Sequence, residues 1–97
     1  MAAYVMANVE VTDPAGFAPY RAAVPATIAK YDGRYLARGG EAVAVEGDSL
    51  PKRVVLLEFP TAAQAKAWWS APEFAYLKAL RQASARTRMI VVEGVEE

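Results

Sequence analysis

The chain has no cysteine and no histidine among its 97 residues. The first absence excludes a disulfide framework, a thiolate nucleophile and any Cys-ligated metal. The second removes the commonest metal ligand, the usual base of a catalytic triad and the proximal ligand of haem. Neither sign of charge is in excess, because 11 Lys and Arg stand against 11 Asp and Glu. Without a concentrated basic face, neither nucleic acid nor a membrane surface is an expected partner. No apolar run approaches the roughly 18 residues of a membrane-spanning helix. The opening MAAYVMANVEVTD has no basic n-region and no cleavage signal, and it already alternates like a strand. A cytoplasmic protein is the expectation. Its chemistry is left to carboxylates, Tyr, Lys, Arg and Asn, with no metal and no cofactor called for.

What the chain has in surplus is apolar side chain, at 55% of its residues. A chain this short forms one domain, residues 1–97, and hides apolar surface poorly. The surplus points to an interface.

Tyr4 to Val11 alternates as a first strand. Asp13 then reads as an N-cap and Pro14 as the first helical residue. Phe17, Tyr20, Val24, Ile28 and Tyr31 form a helical stripe. Pro19 and Pro25 lie inside it, and each interior proline costs roughly 3 kcal/mol, so a kinked or two-piece helix is expected. It ends at YDG, where Gly33 is free to take positive φ. Arg34 to Arg38 opens a second strand, interrupted by Gly39 and Gly40 and resumed over Glu41 to Val45. EGDSLPKR supplies a turn, and Arg53 to Phe59 forms a third strand. Thr61 and Gln64 make a capping box for a helix through Trp69, and Ser70 with Glu73 repeats it for a helix to about Ala85. TRMIVVEG is the last strand.

The order βαββαβ, with its second helix broken in two, predicts an α+β, ferredoxin-like fold. Its four-stranded antiparallel sheet carries helices on one face. Alternation assigns Val5, Ala7, Val9, Val55, Leu57, Phe59, Ile90 and Val92 to one face. Tyr4, Met6, Leu36, Val54, Leu56, Met89 and Val91 fall on the other. A bare apolar face of that size marks an interface, and a second copy packed sheet to sheet is the simplest cover.

YVMANVEVTDPAGFAPYRAAVPATIAKYDGRYLARGGEAVAVEGD, PKRVVLLEFPTAAQAKAWWSAPEFAYLKALRQASART and MIVVEGV together resemble domain of unknown function 1330, within the dimeric α+β-barrel superfamily. GRYLARGG…EGD with WWSAPEF is the more specific part. The resemblance spans nearly the whole chain and implies the fold and a homodimer, but no reaction. Relatives in that superfamily include cofactor-free quinol monooxygenases, haem-degrading enzymes and small-molecule isomerases, and fold alone does not choose among them.

Glycine in a strand marks a bulge or a close approach. Gly39 and Gly40 are therefore expected to bend the second strand, either only to curl it at the barrel rim or, in the sharper reading, also to aim Arg38 into a pocket. The planar fork of Arg38 suits a carboxylate or enolate. In strand order 4-1-3-2, Asn8 is expected to converge with Arg38 on the face of Met6 and Leu36. Glu58 is the candidate base, since burial would raise its pKa, with an ion pair to Arg34 as the alternative. Glu58 and Arg38 are thus the catalytic candidates. Asn8, Tyr20, Arg38, Gly39, Trp69 and Arg81 are the ligand-binding candidates. Trp68 and Trp69 point about 100° apart, so one packs in the core while the other caps a cleft or the dimer seam.

The expected function is a small homodimer that binds a small aromatic or carboxylated metabolite between sheet and helices. The alternatives are a monooxygenase- or isomerase-like enzyme without cofactor, and a non-catalytic dimerisation module. A cavity beside Arg38 distinguishes the first from the last.

Overall fold

A computed structural model describes residues 1–48 and 52–95. The elements run β1 (Ala3–Val11), α1 (Pro14–Lys30), β2 (Arg34–Arg38), β3 (Val54–Phe59), α2 (Ala62–Ser70), α3 (Pro72–Ser84) and β4 (Ala85–Glu93). All strand pairs are antiparallel, in the order β2-β3-β1-β4. The fold is α+β and ferredoxin-like, with three helices on one face of the sheet. The turn expected over 46–53 lies partly outside the described residues.

Helix and sheet meet through Ala3, Val5, Ala7 and Val9 of β1 and Leu57 and Phe59 of β3, all buried. Phe59, Trp68 and Phe74 stack beneath the helices, with ring centroids 5.6 and 4.6 Å apart. Trp68 keeps its indole N–H satisfied by donating to Thr27 Oγ1 at 3.0 Å, as a buried indole requires. Thr27 in turn donates to the Val24 carbonyl at 2.7 Å.

Several local expectations need correction. Helix α1 runs unbroken through Pro19 and Pro25. Its N-cap Asp13 makes no side-chain cap bond. Asp32, with φ 65°, takes the left-handed conformation assigned to Gly33. Gly33 serves packing instead, since a Cβ there would stand 2.6 Å from the Phe59 ring. Thr61 does cap α2, accepting from the Gln64 N–H at 3.1 Å. The second capping box does not form, because Ala71 is the N-cap of α3 and Glu73 turns to Lys30 and Tyr31.

Two corrections concern the sheet faces. β4 has the opposite phase from the one alternation suggested. Met89 pairs with Ala7 and Val91 with Val5 on the helix side, while Ile90 and Val92 join Met6 and Tyr4 on the open side. Four consecutive apolar residues leave the phase undetermined, and pairing with β1 decides it. The second is that β2 ends at Arg38. Glu41 to Val45 forms no strand, because β3 begins only at Val54 and offers nothing beyond it to pair with.

The open face remains apolar. Met6, Leu36, Ile90 and Val92 are all exposed, Ile90 at 55%.

Candidate functional site

Between the sheet and α1 lies a cavity of about 40 Å³, room for roughly three waters. Its floor is Val5, Ala7 and Val9 of β1 with Val55 and Leu57 of β3, and its roof is Phe17, Tyr20, Val24 and Ile28 of α1. Ala7 is the small residue at the centre of that floor. The enclosed part is small, so a ligand of ring size must extend into the mouth, where Arg21 and Arg38 are exposed.

The placement of Arg38 depends on one extra residue. Tyr35 pairs with Leu57, but Ala37 pairs with Leu56 and Arg38 with Val55, leaving Leu36 as a β-bulge. A bulge reverses the side-chain alternation beyond it. Arg34 therefore shares the open face with Glu58, whereas Arg38 shares the helix face with Val55 and lines the cavity. Arg38 lies over the Tyr35 ring, 4.7 Å from its centroid, and donates to the Arg21 carbonyl at 2.6 Å.

Gly39 follows with φ 71°, and its N–H donates the last ladder bond to the Val54 carbonyl at 2.9 Å. The guanidinium of Arg53 occupies the space where a Cβ would stand, so Nη1 would be 2.6 Å away. The close approach that glycine permits here is made by an arginine of the neighbouring strand. Gly40 has nothing within 4 Å of a Cβ position.

Four arginines, Arg21, Arg38, Arg53 and Arg81, line the cavity together with Tyr20 and Tyr35. Among the described residues, no carboxylate lines it. Arg81 is only 4% exposed, and its guanidinium donates to the Tyr20 hydroxyl at the long distance of 3.5 Å. Nε of Arg53 and of Arg81 are buried without a hydrogen-bond partner among the described residues. Burial pulls the Arg53 pKa down, and the neighbouring positive charges of Arg21 and Arg38 pull it further. It nevertheless remains a cation at neutral pH. Burial pushes the Tyr35 phenol up against the opposing effect of Arg38 and Arg53, so it is a hydrogen-bond donor and not a base.

The sequence-derived candidates divide between the two faces. Tyr20, Arg38 and Arg81 line the cavity, and Gly39 borders it at the mouth. Asn8 does not converge with Arg38. It pairs with Val54 and Arg88 on the open face, because the bulge carries Arg38 to the opposite side. Glu58 also faces outward, in an ion pair with Arg34 at 2.6 Å, and is out of reach of the cavity. Trp69 is on the surface with the Lys78 ammonium 3.5 Å above its ring, and Trp68 takes the cavity wall instead.

Sequence reasoning missed Arg21, Arg53 and Tyr35. For Arg53 a signal was present, since it shares its parity with inward-facing Val55, Leu57 and Phe59. Among the described residues, no group of three or more His, Cys, Asp or Glu forms a metal site, and no helix is long and apolar enough to cross a membrane.

The profile of the family described as Domain of unknown function (DUF1330) matches residues 2–95. Three solved structures share the fold. RPA0582, a protein of unknown function from Rhodopseudomonas palustris, superposes with TM-score 0.78 at 16% identity, covering 99% of this chain and 84% of that one. A dimeric ferredoxin-like protein of unknown function from Jannaschia sp. CCS1 gives 0.71 at 15% identity, over 97% and 100%. SnoaB, a cofactor-independent oxygenase from Streptomyces nogalater, gives 0.62 at 14% identity, over 99% and 94%. No curated protein matches the chain in sequence.

Proposed function

The chain belongs to the DUF1330 family, and we propose that it is a homodimer binding a small, anionic, partly apolar metabolite between its sheet and helices. The observation that carries this reading is the cavity lined, among the described residues, by four arginines and no carboxylate. Such a set leaves positive charge uncompensated among the described residues, and an anion supplies a partner through charge-assisted hydrogen bonds. The apolar floor and the rings of Phe17 and Tyr20 accept an aromatic or aliphatic body.

Self-association rests on the open face. Met6 and Ile90 are cross-strand neighbours there, with Val92 two residues along. Their exposure, and the dimeric ferredoxin-like relative, support a second copy as the cover.

Cofactor-free oxygenation is a second reading. The arginines favour it, because they stabilise a substrate anion. Among the described residues no carboxylate lines the cavity to take a proton, so this reading calls for a substrate that ionises on its own.

Native mass spectrometry of gently purified protein tests both parts. A dimer with a reproducible extra mass of a small acid is expected. A monomer at micromolar concentration would remove the sheet-to-sheet interface. In the same measurement Ile90→Asp is expected to give monomer, through a charge buried at the seam.

A further inference from the structure

The four cavity arginines form two separate poles. Arg21, Arg38 and Arg53 stand at the mouth, where Arg53 feels the charges of the other two. Arg81 stands apart from them on α3 and is held by Tyr20 of α1. It is 4% exposed, whereas Arg21 and Arg38 are exposed at the mouth. The same cavity is lined by the apolar Ala7, Val9, Val55 and Phe17.

Among the described residues, no carboxylate neutralises either pole. The acid–base pairs found among the described residues are Lys30 with Glu73 and Arg34 with Glu58, both away from the cavity. Arg38 spends one donor on a backbone carbonyl, which carries no charge. At the other pole, Arg81 is nine-tenths buried with Nε unpartnered and a single long bond to a neutral hydroxyl. A buried guanidinium in that state is costly unless something anionic reaches it.

Resting on the cavity as a ligand site, we infer that its ligand carries two anionic groups, one at each end of an apolar body. One group meets the mouth arginines and the other meets Arg81. A monoanion satisfies one pole and leaves the second unpaired, so the chemical class is a compact dicarboxylate or its phosphorylated equivalent. Arg81 is then the residue that selects a dianion over a monoanion, and the mouth arginines supply the general attraction for negative charge.

Isothermal titration at fixed ionic strength tests this with two pairs of probes. Benzoate is compared with terephthalate, and butyrate with the slimmer succinate. The dianion of at least one pair is expected to bind roughly ten-fold more tightly than its monoanion, as one added charged hydrogen-bonding contact implies. In Arg81→Met that advantage is expected to vanish, and Arg81→Lys is expected to retain part of it. Equal affinity for monoanion and dianion in both pairs would overturn the two-pole assignment and leave the cavity as a ligand site. A dianion advantage unchanged in Arg81→Met would overturn the role of Arg81. If no probe binds, the ligand-site reading falls and this inference with it.

Discussion

Arg53 and Gly39 occupy one space: the guanidinium of the first lies where the second would carry its Cβ, with Nη1 2.6 Å and Cζ 2.7 Å from that point. Gly39 also has φ 71°. Gly39→Ala therefore meets a backbone penalty and a collision together. A loss of about 1–3 kcal/mol in chemical denaturation is expected. Gly40→Ala, with open space around it, is expected to stay within about 0.5 kcal/mol of the parent. Equal effects at the two positions would show that Arg53 does not hold this place in solution.

Arg81 offers the opposite sign. Truncating a buried residue usually destabilises, but this one is a buried cation without a carboxylate partner among the described residues. Arg81→Met keeps most of the volume and removes the charge. Thermal and urea unfolding are expected to show a gain of about 1 kcal/mol or more. A loss of several kcal/mol would mean that the guanidinium is compensated inside the chain.

Acid stability turns on Glu73. The Lys30 ammonium, 2.8 Å away, holds its carboxyl down at about 2, helped by a backbone bond and by the Tyr31 hydroxyl at 2.9 Å. A carboxyl whose folded pKa is depressed adds stability above its ordinary value of 4.5, and that stability is lost as pH falls toward 2. Glu73→Gln is expected to be less stable than the parent at pH 6, with the gap closing between pH 4.5 and 2. The pair lies at the surface, so added salt is expected to shrink the gap. A gap that persists unchanged at pH 2 would assign the effect to packing.

Much of the fold was legible because single residues left few alternatives. Only one face of β1 is free of charge and amide, so Val5, Ala7 and Val9 could point only inward. Thr61 with Gln64 announced the start of α2. The phase of β4 was not legible, since Met89, Ile90, Val91 and Val92 satisfy either face and long-range pairing decides between them. The prolines of α1 misled for a different reason. Tertiary packing of Phe17, Tyr20, Val24 and Ile28 holds a helix that local propensity disfavours.

The site was half legible. The paired glycines pointed to the right end of the right strand, and Tyr20, Arg38 and Arg81 do line one cavity. The face was not legible, because the bulge sits at Leu36, three residues before the glycines, where no residue type marks it. Asn8 is parted from Arg38 for that reason, whereas Glu58 faces outward by its own alternation with Leu57 and Phe59.

That bulge divides a five-residue strand between two surfaces. Its first residue, Arg34, belongs to the outer face and pairs with Glu58, while its last, Arg38, belongs to the inner one. Substitution at Arg34 or Glu58 therefore alters the outer face without altering the lining of the cavity. Two properties encoded four residues apart are able to diverge independently among descendants of this chain.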